Sequence, residues 1–147
     1  MKVIDAAPPA RFDDYFYRAA ADRAQRSPDS RAYFDALVQC AGVTSDRTLN
    51  EASALAEFQR HGFFLIGVVE CPLGHLLDPP QAVHRAAPIL LRRITVSYRP
   101  KSDALLSPLT HPLVAVLQES EWAPRLILDG GKPFALPSGG NLAKALG

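Results

Sequence analysis

The stretch Gly62-Phe63-Phe64-Leu65-Ile66-Gly67-Val68-Val69, closed by Glu70-Cys71-Pro72, decides the fold. It is an unbroken apolar run between a glycine and a polar, proline-containing turn. Strands buried on both faces read this way, and such strands belong to parallel sheets covered by helices. The run is far too short to cross a bilayer as a helix. It therefore predicts a strand whose carboxyl end delivers Glu70 and Cys71 into a loop.

Working outward, the segments on either side alternate between helix and strand. Lys2–Asp5 reads as a short strand ended by Ala6-Ala7-Pro8-Pro9, because neither proline can donate a ladder hydrogen bond. Residues 29–41 carry Tyr33, Phe34, Leu37 and Val38 at helical spacing, with Ser30 or Asp29 as the cap and Gly42 as the stop. A second helix is expected from Leu49 to Arg60, capped by Asn50 or Thr48 and ended by Gly62. Downstream, Pro79-Pro80 introduces a helix over 81–98 with a break near Pro88. Ser102–Leu106 is a third strand, and Thr110 caps a helix whose first turn holds Pro112. Arg125–Leu128 is a fourth strand, with Lys132–Leu136 extending or pairing with it, and Leu142–Leu146 closes the chain as a helix. This alternation predicts an α/β protein, a three-layer α/β/α arrangement around a short four-stranded parallel sheet. At 147 residues it is expected to be a single domain, 1–147, burying about 68–70% of its unfolded surface without staples.

In such a sheet, ligands bind beyond the carboxyl ends of the strands. That rule selects the loops Ala6–Tyr17, Glu70–Leu77, Ser107–His111 and Leu136–Asn141. Asp5 is either a general base or metal ligand, or the cap of its own turn. Tyr15-Phe16-Tyr17 is either a stacking platform for a flat ring or an anchor for the loop. Glu70 and Cys71 stand at the end of the apolar strand, where an acid or a thiol next to a base does chemistry. Of four histidines, His75 and His111 lie on the ligand side. No HExxH, CxxC, GxGxxG or GxxxxGK[ST] spacing occurs, so no metal and no cofactor is expected.

The net charge of +1 denies the chain the strongly basic balance of many nucleic-acid binders. Its distribution is less even. Between Cys71 and Ser102 the single acid is Asp78, against Arg85, Arg92, Arg93, Arg99 and Lys101. This is either a solvated helix face or a set of phosphate contacts, the latter assigned to Arg92, Arg93, Arg99 and Lys101. The start of the chain meets an acid at Asp5 and is not a signal peptide, so a reducing cytoplasm and no membrane association are expected.

Three of the loops resemble those of the uracil-DNA glycosylases, which carry GEAPG after the first strand, NVVKCRPP after the second and HPS near the end. Here the matching segments are Asp5-Ala6-Ala7-Pro8-Pro9, Gly67-Val68-Val69-Glu70-Cys71-Pro72-Leu73 and Leu136-Pro137-Ser138. A branch with an EAPP…YFY opening is more similar still, through Ala6-Ala7-Pro8-Pro9 and Tyr15-Phe16-Tyr17. The resemblance implies a cleft for DNA or a free nucleobase, lined by Ala6, Pro8, Pro9, Phe16, Tyr17, Gly67, Cys71, Ser138 and Asn141. It also implies weak or absent base excision. The family's water-positioning acid, base-reading asparagine and anion-stabilising histidine align with Ala6, Gly67 and Leu136. Excision would need Asp5, Glu70 and His75 to take over. Two other functions fit the same residues: a hydrolase of different specificity using Asp5 or Glu70 with His75 or His111, and a non-catalytic interaction module.

Overall fold

The computed structural model describes residues 1–19, 22–43, 50–73, 78–95 and 100–135. The chain divides into two compact units, one made of Met1–Pro8 with Phe64–Ala135 and the other containing Pro9–Phe63.

The first unit holds the sheet. Strands β1 (Lys2–Asp5), β2 (Phe64–Gly67), β3 (Asp103–Leu105) and β4 (Leu126–Ile127) are all parallel, in the order β2-β1-β3-β4. Lys2 stands opposite both Phe64 and Asp103, Ile4 opposite both Ile66 and Leu105, and Asp103 opposite Leu126. The protein is thus a small α/β fold with a four-stranded parallel sheet. The apolar run that announced the sheet differs from expectation in one respect. All four β2 residues are half-buried, because β2 is an edge strand, although backbone bonding to the β1 side continues through Val69. Val68 then turns inward and is buried.

The β2–β3 crossover holds two short helices, α3 (Pro79–Arg85) and α4 (Ala87–Arg93), with the expected break near Pro88, and residues 96–98 of the expected helix lie outside the described residues. Pro88 in the first turn of α4 lacks an N–H and disfavours helical geometry just before it, so the break falls at Ala86. Asp78 caps α3 by accepting from the Gln81 N–H at 3.1 Å. Val83, Ala87, Leu90 and Ile94 form one core with Ile4 and Leu105 of the sheet and with Leu113, Val114 and Leu117 of α5 (Leu113–Gln118). The helical period of the first four residues puts them on one stripe.

Thr110 does not cap α5. It is fully buried, and its hydroxyl is shared between the carbonyls of Leu106 and Ser107, both at 2.8 Å. Its side chain closes the turn after β3, while α5 follows Pro112 with no side-chain cap. Beyond β4, Gly130 and Gly131 adopt positive φ, as a tight reversal requires. Phe134 then returns to bridge Leu106.

In the second unit, α1 (Pro28–Cys40) and α2 (Glu51–Arg60) both pack against Phe16. Ser27, not Ser30 or Asp29, caps α1, because Pro28 takes the first helical position, where no N–H is needed. Asn50 caps α2 as expected, accepting from the Ser53 N–H at 2.8 Å. Phe16 packs against Phe34 at 5.3 Å and Phe58 at 5.2 Å between ring centroids. The expected closing helix Leu142–Leu146 lies outside the described residues.

Candidate active site at the carboxyl ends of the strands

The chain runs from β1 outward to β2, then crosses back to β3 on the other side. The strand order therefore reverses between β1 and β3, and the carboxyl ends of these two strands form the switch point where open α/β sheets bind ligands. The loops that meet there are Ala6–Pro8 and 106–110.

Both loops are tightly held. The Asp5 carboxylate accepts from the Ala6 N–H at 2.7 Å, so Asp5 closes its own turn. The ladder continues past the strand ends: the Val68 N–H donates to the Asp5 carbonyl at 2.8 Å and the Val69 N–H to the Ala6 carbonyl at 2.9 Å. After β3, Ser107 has φ of 73°, the one described non-glycine residue in that region. A side chain there is strained, and such strain concentrates at functional sites. The Ser107 N–H donates to the Phe134 carbonyl at 2.8 Å, and its hydroxyl accepts from the Leu109 N–H at 3.2 Å. In the sequence, Ser107 is marked only as the first residue of the loop Ser107–His111. The Ser-Pro pair after a strand was the available signal, but the conformation depends on Thr110 and Phe134.

Gly67 stands opposite Asp5 in the register. A Cβ built there would lie 3.1 Å from the Val69 carbonyl oxygen and 3.7 Å from Ala7 Cα and Pro8 Cδ. A side chain at position 67 would therefore press on the Val69 carbonyl and lie in ordinary contact with Ala7 and Pro8.

Arg93 reaches from α4 to donate to the Gly67 carbonyl at 3.0 Å, and its guanidinium lies 3.8 Å from the Glu70 carboxylate. Arg93 is thereby held against the β2 loop. Glu70 has its side chain 80% exposed, and Cys71 is also exposed. Arg92 and Lys101 are exposed. Arg99, His75, Ser138, Asn141 and Leu136 lie outside the described residues.

The aromatic expectation changes most. Phe16 is buried in the core of the second unit and presents no face for stacking. Tyr17 meets its edge at 5.1 Å. Pro9 belongs to that same unit, whereas Ala6 and Pro8 belong to the first. The exposed rings are instead Phe12 and Tyr15, at 74% and 44%. One face of Phe12 is covered by the Arg18 guanidinium, 4.3 Å from the centroid.

The largest electrostatic perturbation is at the opposite ends of the strands. Asp103, at the start of β3, is buried with no hydrogen-bond partner on either oxygen, and burial pushes its pKa up to about 6. The charges of Lys2, the N-terminus and Arg125 oppose that rise. Burial also pushes the Lys2 ammonium down, although Nζ donates to the Ile94 carbonyl at 2.6 Å. Among the described residues no cluster of three metal-ligating side chains occurs, and no helix is long and apolar enough to cross a membrane. Compared with known protein families, with curated proteins and with solved structures, the chain matches none.

Proposed function

We propose that this chain is a uracil-DNA glycosylase-like protein that binds a nucleobase or nucleic acid at the β1/β3 switch point without efficient excision. The observation that carries this reading is the state of the two β1-side positions. Asp5 is bonded to its own turn, and position 67 has no side-chain amide, while a Cβ there would press on the Val69 carbonyl. Excision needs preorganised groups on the base edge and on the departing anion, and removing one such donor costs other enzymes about 10²–10³ in rate. What Ala6–Pro8 and residues 106–110 offer is backbone held in place by its own hydrogen bonds, a fixed wall against which a flat ring can lie. The protein works in the reducing cytoplasm, consistent with Cys40 and Cys71 forming no disulfide.

The test is an excision and binding panel on single-stranded and duplex oligonucleotides carrying uracil, hypoxanthine or xanthine. An Asp5→Ala, Glu70→Ala double variant is the control for contaminating activity. Salt-dependent binding without alkali-labile product supports the proposal. Efficient cleavage by the wild type and not by the variant would replace it with an active enzyme whose acid has moved along the chain. Absence of both binding and cleavage would remove the nucleic-acid reading.

A further inference from the structure

The crossover helices carry a second surface that the switch point does not use. No aspartate or glutamate occurs anywhere between residues 79 and 102. Val83, Ala87, Leu90 and Ile94 are turned into the core, which leaves His84, Arg85, Pro88, Ile89 and Arg92 exposed. Ile89 is 49% exposed, the one aliphatic side chain among the exposed large hydrophobic residues described. It sits one turn before Arg92 on α4 and four residues after Arg85. The exposed arginines of these helices stand away from any described carboxylate. Arg11, Arg18, Arg26, Arg60 and Arg93 each lie beside a carboxylate. Arg85 and Arg92 have no such partner among the described residues.

We infer that the outward face of α3–α4 is a docking site for an acidic protein segment, with Ile89 as its apolar anchor and Arg85 and Arg92 as its carboxylate clamps. Charge complementarity sets the sign of the partner, because unpaired guanidinium groups bind carboxylates through two parallel hydrogen bonds. The exposed isoleucine then selects among anionic partners. A phosphodiester backbone offers the arginines what they need but covers little of Ile89. An anionic bilayer needs an exposed apolar face to insert, and the apolar face of these helices is already in the core. A protein segment supplies both an apolar side chain and carboxylates around it, the arrangement in which arginine dominates interfaces.

The probe is a labelled synthetic helical peptide with a seam of leucines flanked by glutamates, titrated with the intact chain by fluorescence anisotropy. All three contact residues are exposed, so Ile89→Ser and the Arg85→Glu, Arg92→Glu double variant should fold, which circular dichroism verifies. The expected result is binding that weakens about tenfold in Ile89→Ser and more than about tenfold in the double variant. Binding should also weaken when the peptide's leucines are replaced by serine. Equal binding of the serine peptide, no binding of either, or tighter binding to oligothymidylate or to phosphatidylserine vesicles through the same residues would overturn the inference. Oligonucleotide binding that survives both sets of substitutions would leave the switch-point reading standing while this one is judged on the peptide alone.

Discussion

Two buried charges show how differently a fold can treat the same problem. Arg26 is buried in the second unit with its donors satisfied. Its Nε lies 3.0 Å from both Glu51 oxygens, and its two terminal nitrogens donate to the carbonyls of Asp14, Tyr15, Phe16 and Arg18. Its guanidinium also lies 4.7 Å from the centroid of Phe34. Arg26 thereby fixes the backbone of the loop that displays Phe12 and Tyr15. Arg26→Met should cost about 3–5 kcal/mol in urea denaturation, because it strands Glu51 in the core. Arg26→Lys should recover little of this, since an ammonium has three donors and no planar fork. Asp103 is the opposite case, a buried carboxylate with both oxygens unpartnered. Its pKa of about 6 in the fold lies above its ordinary value of 3.8. Between those values the folded state holds a proton that the unfolded state has released, so stability falls as pH rises through the window. The fall is at most about 3 kcal/mol and is complete above the folded pKa. Melting curves should show it in the wild type, and Asp103→Asn should flatten it. A slope shared by both proteins would mean that another group titrates there.

At the scale of elements, the signals that read correctly from sequence were local ones. Lys2–Asp5 is a strand because its β-branched residues meet two prolines, and α1 and α2 stop where Gly42 and Gly62 supply φ of 79° and 87°. What misread was the burial of β2. A run of apolar residues is compatible with a central or an edge strand, and the difference lies in the neighbours rather than in the run. Gly67 makes the same point for the site. Its residue type suggested only a missing asparagine, whereas the structure adds that the Val69 carbonyl lies within 3.1 Å of where a Cβ would stand. Gly67→Asn should therefore lower stability by about 1–3 kcal/mol, because the close contact is backbone and yields only by shifting the loop. It should leave uracil excision undetectable. A variant that folds as stably as the wild type and excises uracil would show that the loop opens more readily than its packing implies.

For the molecule as a whole, the order β2-β1-β3-β4 puts β1 and β3 at the centre, where Val3, Ile4, Ala104 and Leu105 have no exposed surface. Hydrogen exchange should be slowest in the amides of β1 and β3, and faster in the two-residue β4 and in the exposed segment around Phe12. Faster exchange in β3 than in β4 would contradict this order. The class of fold was legible because helical period, apolar runs and proline or glycine stops are properties of neighbouring residues, and chain neighbours are present whatever the fold. The loops at the carboxyl ends were legible for the same reason, since every parallel strand must end on one side. Strand order was not, and with it went the choice of β1 and β3 as the switch point. Nor was the reach of Arg93 to the Gly67 carbonyl, twenty-six residues away, or the register that sets Lys2 against Asp103. These contacts join residues far apart in sequence, and only the packing of the core brings them within hydrogen-bonding or electrostatic range.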